Sequence, residues 1–217
     1  LMEKISNTLA SLRKDYGNKE LNLNELLVNP IDQFKKWLDE AIKIEANEPN
    51  AMAISTVTDE NTPRSRYVLF KDLIEGELIF HTHYESPKAK EILNNPNISG
   101  IFYWPEIHRQ IRFEGICKKA SSEVSDDYFN SRPRGGQLSA IASNQSQAIQ
   151  GRIEIEEKIA ELEIEYKNKE IQRPDNWGGF SINVDYWEFW QGRDNRTHDR
   201  FTYFLQDDKW KIERLSP

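Results

Sequence analysis

The chain has 217 residues, with 36 acidic against 29 basic side chains and a formal net charge of -7, a balance that argues against the basic face of a nucleic-acid binder. Hydrophobic residues make up 37% and charged residues 30%, as in a water-soluble globular protein long enough for a sizeable core. No apolar run approaches bilayer length, the start lacks the apolar core of a signal peptide, and the single Cys117 excludes an internal disulfide, so a cytoplasmic protein with no membrane partner is expected. Four scattered histidines and one cysteine do not form the ligand set of a structural zinc site, and no metal is expected.

Ile5, Leu9, Leu12 and Tyr16 recur at helical spacing and predict a short amphipathic helix that Gly17-Asn18 stops. Asn29-Pro30 caps and opens a second helix, whose stripe Ile31, Phe34, Leu38, Ala41 and Ile42 ends before Glu48-Pro49. From residue 51 the period changes to two. Strands are predicted over 51–58 and 63–70 around a turn at 59–62, and over 77–82 after the turn Glu75-Gly76. Ser86-Pro87 caps a helix to about Asn94, which Pro96 cannot extend. Strands 98–104 and 109–119 follow, joined across Pro105-Glu106. Ser121-Ser122 caps a helix to Ser131, and 132–136 (Arg-Pro-Arg-Gly-Gly) reads as a breaker. A helix over 153–166 carries Ile155, Ile159, Leu162 and Tyr166 on one face, opposite a solvated face of glutamate and lysine. A loop at Trp177-Gly178-Gly179 precedes strands over 180–184, 186–191, 201–206 and 210–215, the last two turning at Asp207-Asp208. Helices inserted among about eight short strands predict a mainly β (α+β) fold: an antiparallel barrel with peripheral helices, one domain over 1–217 with a helical segment 1–48 packed on it.

The stretch 188–200 gathers three arginines and a histidine into eight residues of an acidic chain, and such a basic knot needs an anion or a structural partner. Arg196 and His198 are two apart, so an extended segment would point them the same way; the plain alternative pairs the arginines with Asp194 and Asp199. On the strand 64–71, Arg64, Arg66, Val68 and Phe70 share a face and Lys71 closes the other, which suits a flat ligand with an anionic tail or an edge strand with gatekeeper cations. Lys88 and Lys90 sit where a helix start attracts phosphate. Tyr128, Arg132 and Arg134 flank a glycine-rich break whose N–H groups could hold a second phosphate or form an ordinary helix end. Gln110 and Gln145-Ser146 supply amides and a hydroxyl able to read a heteroaromatic edge. His81 and His83 share a strand face without a third metal ligand in view, and Cys117 reads as a buried small hydrophobe. No glycine-rich dinucleotide loop, Walker loop or nucleophile elbow is present.

Taken in order, 66–71 (Arg-Tyr-Val-Leu-Phe-Lys), Arg109-Gln110, 128–134 (Tyr-Phe-Asn-Ser-Arg-Pro-Arg), Gln145-Ser146, Trp177-Gly178-Gly179, 188–192 (Glu-Phe-Trp-Gln-Gly), 196–200 (Arg-Thr-His-Asp-Arg) and the ending 210–217 resemble the pyridoxine (pyridoxamine) 5'-phosphate oxidase family. The likeness runs from about Leu12 to the last residue. It implies an antiparallel split β-barrel forming a homodimer, with FMN at the subunit interface. It also implies oxidation of pyridoxine 5'-phosphate or pyridoxamine 5'-phosphate to pyridoxal 5'-phosphate: hydride passes from substrate C4' to flavin N5, and O2 reoxidises the flavin to give H2O2. The family's flavin contacts fall on Arg66, Tyr67, Val68, Leu69, Lys71, His81, Thr82, Lys88, Gln110, Gln145, Ser146, Trp190 and Arg200. Its substrate contacts fall on Lys71, Tyr128, Arg132, Gly136, Arg196 and His198, with Arg13 and Tyr16 near the N-terminus, and Arg196 and His198 take the catalytic role. Three positions depart from the pattern: His81 stands where tyrosine is common, Pro87 where an arginine often grips the flavin phosphate, and Gly136 where a serine often contacts the substrate phosphate. A related flavin oxidase acting on a phenazine precursor, and a non-catalytic flavin-binding protein, are the alternatives.

Overall fold

The computed structural model describes residues 16–17 and 19–217. The predicted first helix (Ile5, Leu9, Leu12) and Arg13 lie outside the described residues. Asn29-Pro30 acts as expected: helix α1 (Pro30–Lys43) begins with the Asn29 side chain accepting the Ile31 N–H, and proline occupies the first turn, where a missing donor costs nothing. Of the expected stripe Phe34 and Ala41 are buried and Ile31 and Leu38 half-buried, while Ile42 is exposed; Trp37, outside the expected stripe, is buried with them. The Phe34 ring lies 5.2 Å from Phe102 and 5.5 Å from Trp187, and Trp37 meets Phe189 edge-on at 5.2 Å.

Nine strands follow: β1 (Ala51–Val57), β2 (Pro63–Leu69), β3 (Asp72–Ile74), β4 (Glu77–His83), β5 (Asn97–Trp104), β6 (Arg109–Lys119), β7 (Trp177–Gln191), β8 (Asp199–Gln206) and β9 (Lys209–Leu215). They form one sheet in the order β2-β1-β5-β6-β7-β4-β3, with β8 paired to β7 and β9 to β8. Four further helices, α2 (Pro87–Asn94), α3 (Ser122–Ser131), α4 (Arg134–Ala142) and α5 (Arg152–Glu165), are inserted between strands. The fold class is the expected mainly β, antiparallel split barrel with peripheral helices. Two compact units share the strands. One takes the described residues up to Pro49, Phe102–Arg112 and Tyr186–Pro217; the other takes Asn50–Ile101 and Phe113–Asp185. No helix among the described residues is long and apolar enough to cross a membrane.

Local expectations fail at three places, each for a physical reason. The breaker at 132–136 is in fact the start of α4: only Arg132-Pro133 interrupts, because a proline forces the residue before it out of the helical region (Arg132 φ -71°, ψ 144°). Gly135 and Gly136 then lie in the first turn, stabilised by burial of Leu138, Ala140 and Ala142 against Phe129, Leu162, Ile171 and Trp177. The Trp177-Gly178-Gly179 loop belongs to the single strand β7, where Gly179 faces His81 and Gly178 faces Thr82 on β4. A Cβ at Gly178 would come within 2.1 Å of the Tyr84 hydroxyl, so these glycines answer a close approach rather than a bend. The short β3, paired with β4, was absent from the prediction because three residues carry no readable period. At Asp207-Asp208 both residues have positive φ (52° and 56°), matching the two-residue hairpin turn.

Candidate functional site

Three groups of side chains carry the chemistry. The first is built around α2. Lys88 Nζ donates to Gln145 Oε1 at 2.8 Å and Thr82 Oγ1 at 3.0 Å, and the Thr82 hydroxyl donates to the same Gln145 oxygen at 2.7 Å. Burial, then the positive charge of Arg66, pulls the Lys88 ammonium down to about 8. Two cations crowded in this way, one of them desolvated, form a site that a phosphate would relieve. Arg66 donates to Thr56 Oγ1 and, at 3.0 Å, to Glu91 Oε2, while Arg64 reaches Glu91 Oε1 at 3.2 Å. Glu91 is 7% exposed; against the cost of burial, hydrogen bonds from Thr56 and Arg66 hold its carboxyl below the usual range. Ser86 stands at the N-cap of α2, but its hydroxyl donates to the His83 carbonyl instead of capping the helix. Along β2, the edge strand of the sheet, Tyr67 is 78% exposed and Leu69 is exposed, while Arg66 and Val68 are half-buried. Ser146 is exposed with φ 68°.

The second group is an aromatic stack with a cation at each end. His81 stacks on Tyr128 at 4.0 Å and on Trp177 at 5.4 Å; Lys71 Nζ lies 5.8 Å from the Tyr128 ring and the Arg132 guanidinium 4.9 Å from Trp177. Burial, with the charges of Arg132 and Lys71, pulls His81 down to about 4, so it is neutral at pH 7. Lys71, Tyr128 and Arg132 thus lie in one neighbourhood: two cations and a phenol around a neutral ring. Gly136 belongs to this group by position, since an added Cβ would lie 3.4 Å from the Arg132 Nε. Its N–H is committed to the Pro133 carbonyl at 2.7 Å and is not the open donor expected from a glycine-rich loop. Arg134 also leaves the anion-binding set: it donates to the carbonyls of Tyr166 (2.6 Å) and Lys169 (3.2 Å), closing the end of α5.

The third group surrounds 193–200. Arg196 and His198 are not side by side on an extended segment, because Asp194–Arg196 is a 3-10 turn in which Asn195 and Arg196 adopt φ 55° and 61°. The His198 Nδ1 accepts the Arg193 N–H at 3.1 Å, which leaves the proton of the neutral ring on Nε2 as a donor. Desolvation and the Arg196 charge lower its pKa. The ring packs on Trp190 at 4.6 Å and meets Tyr16 edge-on at 5.4 Å. Arg200 donates Nε–H to Glu188 at 2.8 Å, and Arg112 reaches the other oxygen of that carboxylate at 3.1 Å. Glu188 is 2% exposed. Gln110 is half-buried on β6. The pairing of arginines with Asp194 and Asp199 is realised only in part: Asp199 binds Arg193 and Arg214, and Asp194 accepts the Gly17 N–H at 3.0 Å. Asp199 also accepts the Leu21 N–H at 3.0 Å, and Arg214 donates to the Leu21 carbonyl at 3.1 Å.

The family profile described as pyridoxamine 5'-phosphate oxidase matches residues 38–166. The chain belongs to this family. A second profile, the pyridoxine 5'-phosphate oxidase C-terminal dimerisation region, matches residues 177–217 of this pyridoxamine 5'-phosphate oxidase family chain. A pyridoxine/pyridoxamine 5'-phosphate oxidase of Legionella pneumophila (strain Paris) is 48% identical over 210 residues, covering 97% of this chain and 98% of that protein. One from Cyanothece sp. (strain PCC 7425) is 44% identical, covering 97% and 99%. Among solved structures, PhzG from Burkholderia lata 383, in complex with tetrahydrophenazine-1-carboxylic acid, superposes with a TM-score of 0.86 at 27% identity, over 93% of this chain and all of that one. In this member of the oxidase family, sequence reasoning missed the residues that hold the arginines in place: Thr56 and Glu91 at Arg66, and the buried role of Glu188 at Arg200. The one available signal was the pair Arg64 and Arg66 on a single strand face, which demands a counter-charge nearby.

Proposed function

We propose that the chain is an FMN-dependent oxidase converting pyridoxine 5'-phosphate or pyridoxamine 5'-phosphate to pyridoxal 5'-phosphate. It would act in the cytoplasm as a homodimer with FMN at the subunit interface. The observation that carries the reading is the presence of two separate cation groups on an acidic chain, one at Arg66 and Lys88 and one at Lys71, Tyr128 and Arg132. Two phosphorylated ligands require two such grips, and the names of the relatives supply the matching substrates. The C-terminal dimerisation profile supports the pairing of two copies.

Bound FMN would supply the redox chemistry, accepting hydride from substrate C4' at N5 and passing electrons to O2 to give H2O2. The chain's own work is positioning and electrostatics. Arg66 and Lys88, with Thr82, Gln145 and Ser146 beside them, would hold the flavin's phosphate and polar edge. Tyr67, Val68 and Leu69 would line it, and Gln110, Trp190 and Arg200 would bind the ring system. Lys71, Tyr128 and Arg132 would hold the substrate phosphate over the neutral His81. The His198 Nε2–H and the fixed charge of Arg196 would orient the pyridine, so that C4' meets the flavin in a productive geometry. Arg200, kept in place by Glu188, would stabilise negative charge gathering on the ring.

The test is oxygen-dependent formation of pyridoxal 5'-phosphate and H2O2 from each phosphorylated vitamer, with the cofactor released from the purified protein identified. FMN release together with aldehyde from at least one vitamer is expected. FMN release with no aldehyde from either would turn the reading towards another small-ring substrate, the class represented by PhzG.

A further inference from the structure

Resting on that flavin reading, we propose that Glu91 is a resident counter-charge in the flavin-phosphate grip, which acts through Arg66 and lowers the chain's preference for phosphorylated over unphosphorylated flavin. The geometry carries this. The Glu91 carboxylate is buried on α2, and its Oε2 receives both the Thr56 hydroxyl and Arg66 Nη2 at 3.0 Å. Oε1 takes Arg64 at 3.2 Å. Arg66 in turn spends one N–H on Thr56 and one on Glu91, and a guanidinium has five donors, so an incoming phosphate shares Arg66 with a carboxylate instead of displacing it. The charge of Glu91 is also felt at the second cation of the grip: Lys88, three residues earlier on the same helix, is stabilised by Glu91 and destabilised by Arg66. Pro87 occupies the first helical position and adds no charge there, so Lys88 and Lys90 are the cations of the first turn; Pro87 and Lys90 line the open cleft beside Glu91 together with Glu85 and Gln147. Of the charged groups around this cleft, Glu91 is the carboxylate bonded directly to Arg66 and Arg64, and it is placed to weaken attraction for any anion bound between Arg66 and Lys88.

A carboxylate that merely braced Arg66 would behave oppositely on removal, so the two roles separate cleanly. The measurement is flavin binding to the apoprotein, by quenching of flavin fluorescence, with FMN and riboflavin compared at one ionic strength. The ratio of riboflavin Kd to FMN Kd isolates the phosphate grip, and a folding defect would weaken both flavins alike. Glu91→Gln keeps the size and one acceptor oxygen, able to receive Thr56 and Arg66, but removes the charge; it is expected to raise the ratio on the order of tenfold, the effect of deleting one like charge near a half-buried anion. Arg64→Gln changes a side chain that is 55% exposed and leaves Glu91 less neutralised; it is expected to lower the ratio severalfold. An unchanged or lowered ratio in Glu91→Gln, or an unchanged or raised ratio in Arg64→Gln, overturns the proposal. Failure of the wild-type apoprotein to bind FMN at all would overturn the flavin reading as well, which distinguishes the two failures.

Discussion

At the scale of single residues, the side chains expected to touch ligand are held by others that the sequence did not announce. Arg196 sits in the left-handed region at φ 61°, immediately after Asn195 at φ 55°, a conformation that non-glycine residues keep only when their surroundings enforce it. The turn is fixed by the Thr197 N–H and hydroxyl, both donated to the Asp194 carbonyl, and by the Gly17 N–H on the Asp194 carboxylate. If, as proposed, this turn sets a cation over the substrate and not on the flavin phosphate, Arg196→Gln is expected to cut kcat/KM by roughly 100-fold or more, the scale of losing one oriented charge in a closed site, while the bound FMN is retained. Steady-state kinetics alongside the flavin absorbance of the purified variant check this; loss of the yellow colour would mean that Arg196 serves the cofactor. The residues named as candidates were legible because their types are scarce and charged. The roles of Glu91 and Glu188 were not, because in a chain with 36 acidic side chains nothing in a single sequence separates a buried carboxylate from a solvated one.

At the scale of elements, periodicity and caps located most strands and helices, and failed where tertiary contact overrode local preference. Gly178 and Gly179 read as a loop because glycine weakens strands, yet β7 runs through them since Tyr84 and Ser125 press close at Gly178 and Ala120 and His81 at Gly179. Gly115 on β6 is a stronger case: an added Cβ would lie 2.1 Å from the Asn183 carbonyl oxygen and 2.8 Å from the Val184 Cα, both backbone atoms that cannot swing aside. Gly115→Ala is therefore expected to destabilise the fold by roughly 3 kcal/mol or more, lowering Tm by about 6 °C or more, as differential scanning calorimetry would show. A melting point equal to that of the parent would mean that β6 and β7 yield at this crossing. The stripe Ile155, Ile159, Leu162 and Tyr166 on α5 was read correctly because one face packs on the core cluster and the other faces water, so pattern and burial coincide.

At the scale of the whole molecule, titration ties the stack of His81, Tyr128 and Trp177 to stability. His81 ordinarily titrates near 6.5 but is pulled down to about 4 in the fold by burial and by Arg132 and Lys71. The unfolded chain therefore takes up this proton before the folded one does. The stability associated with a neutral His81 is fully present above pH 6.5 and is lost as pH falls from 6.5 towards 4, with a slope bounded by about 1.4 kcal/mol per pH unit and reduced by the ring's partial exposure. Urea titrations at pH 7 and pH 5 are expected to show this loss for the parent protein and a smaller one for His81→Phe, whose ring still stacks on Tyr128 but cannot be protonated. Equal losses in both would place the acid sensitivity elsewhere.

The carboxylate of Asp199 holds the Leu21 N–H across 178 positions of chain, while its partner Arg214 grips the Leu21 carbonyl across 193. A knot of this kind closes a very long loop with only a few bonds, and such closures come late, once the intervening chain is in order. The stretch around Leu21 thus serves as a built-in gauge of completion: hydrogen exchange at its amides records when the last part of the fold has docked, and early release there under denaturant marks the first part to leave.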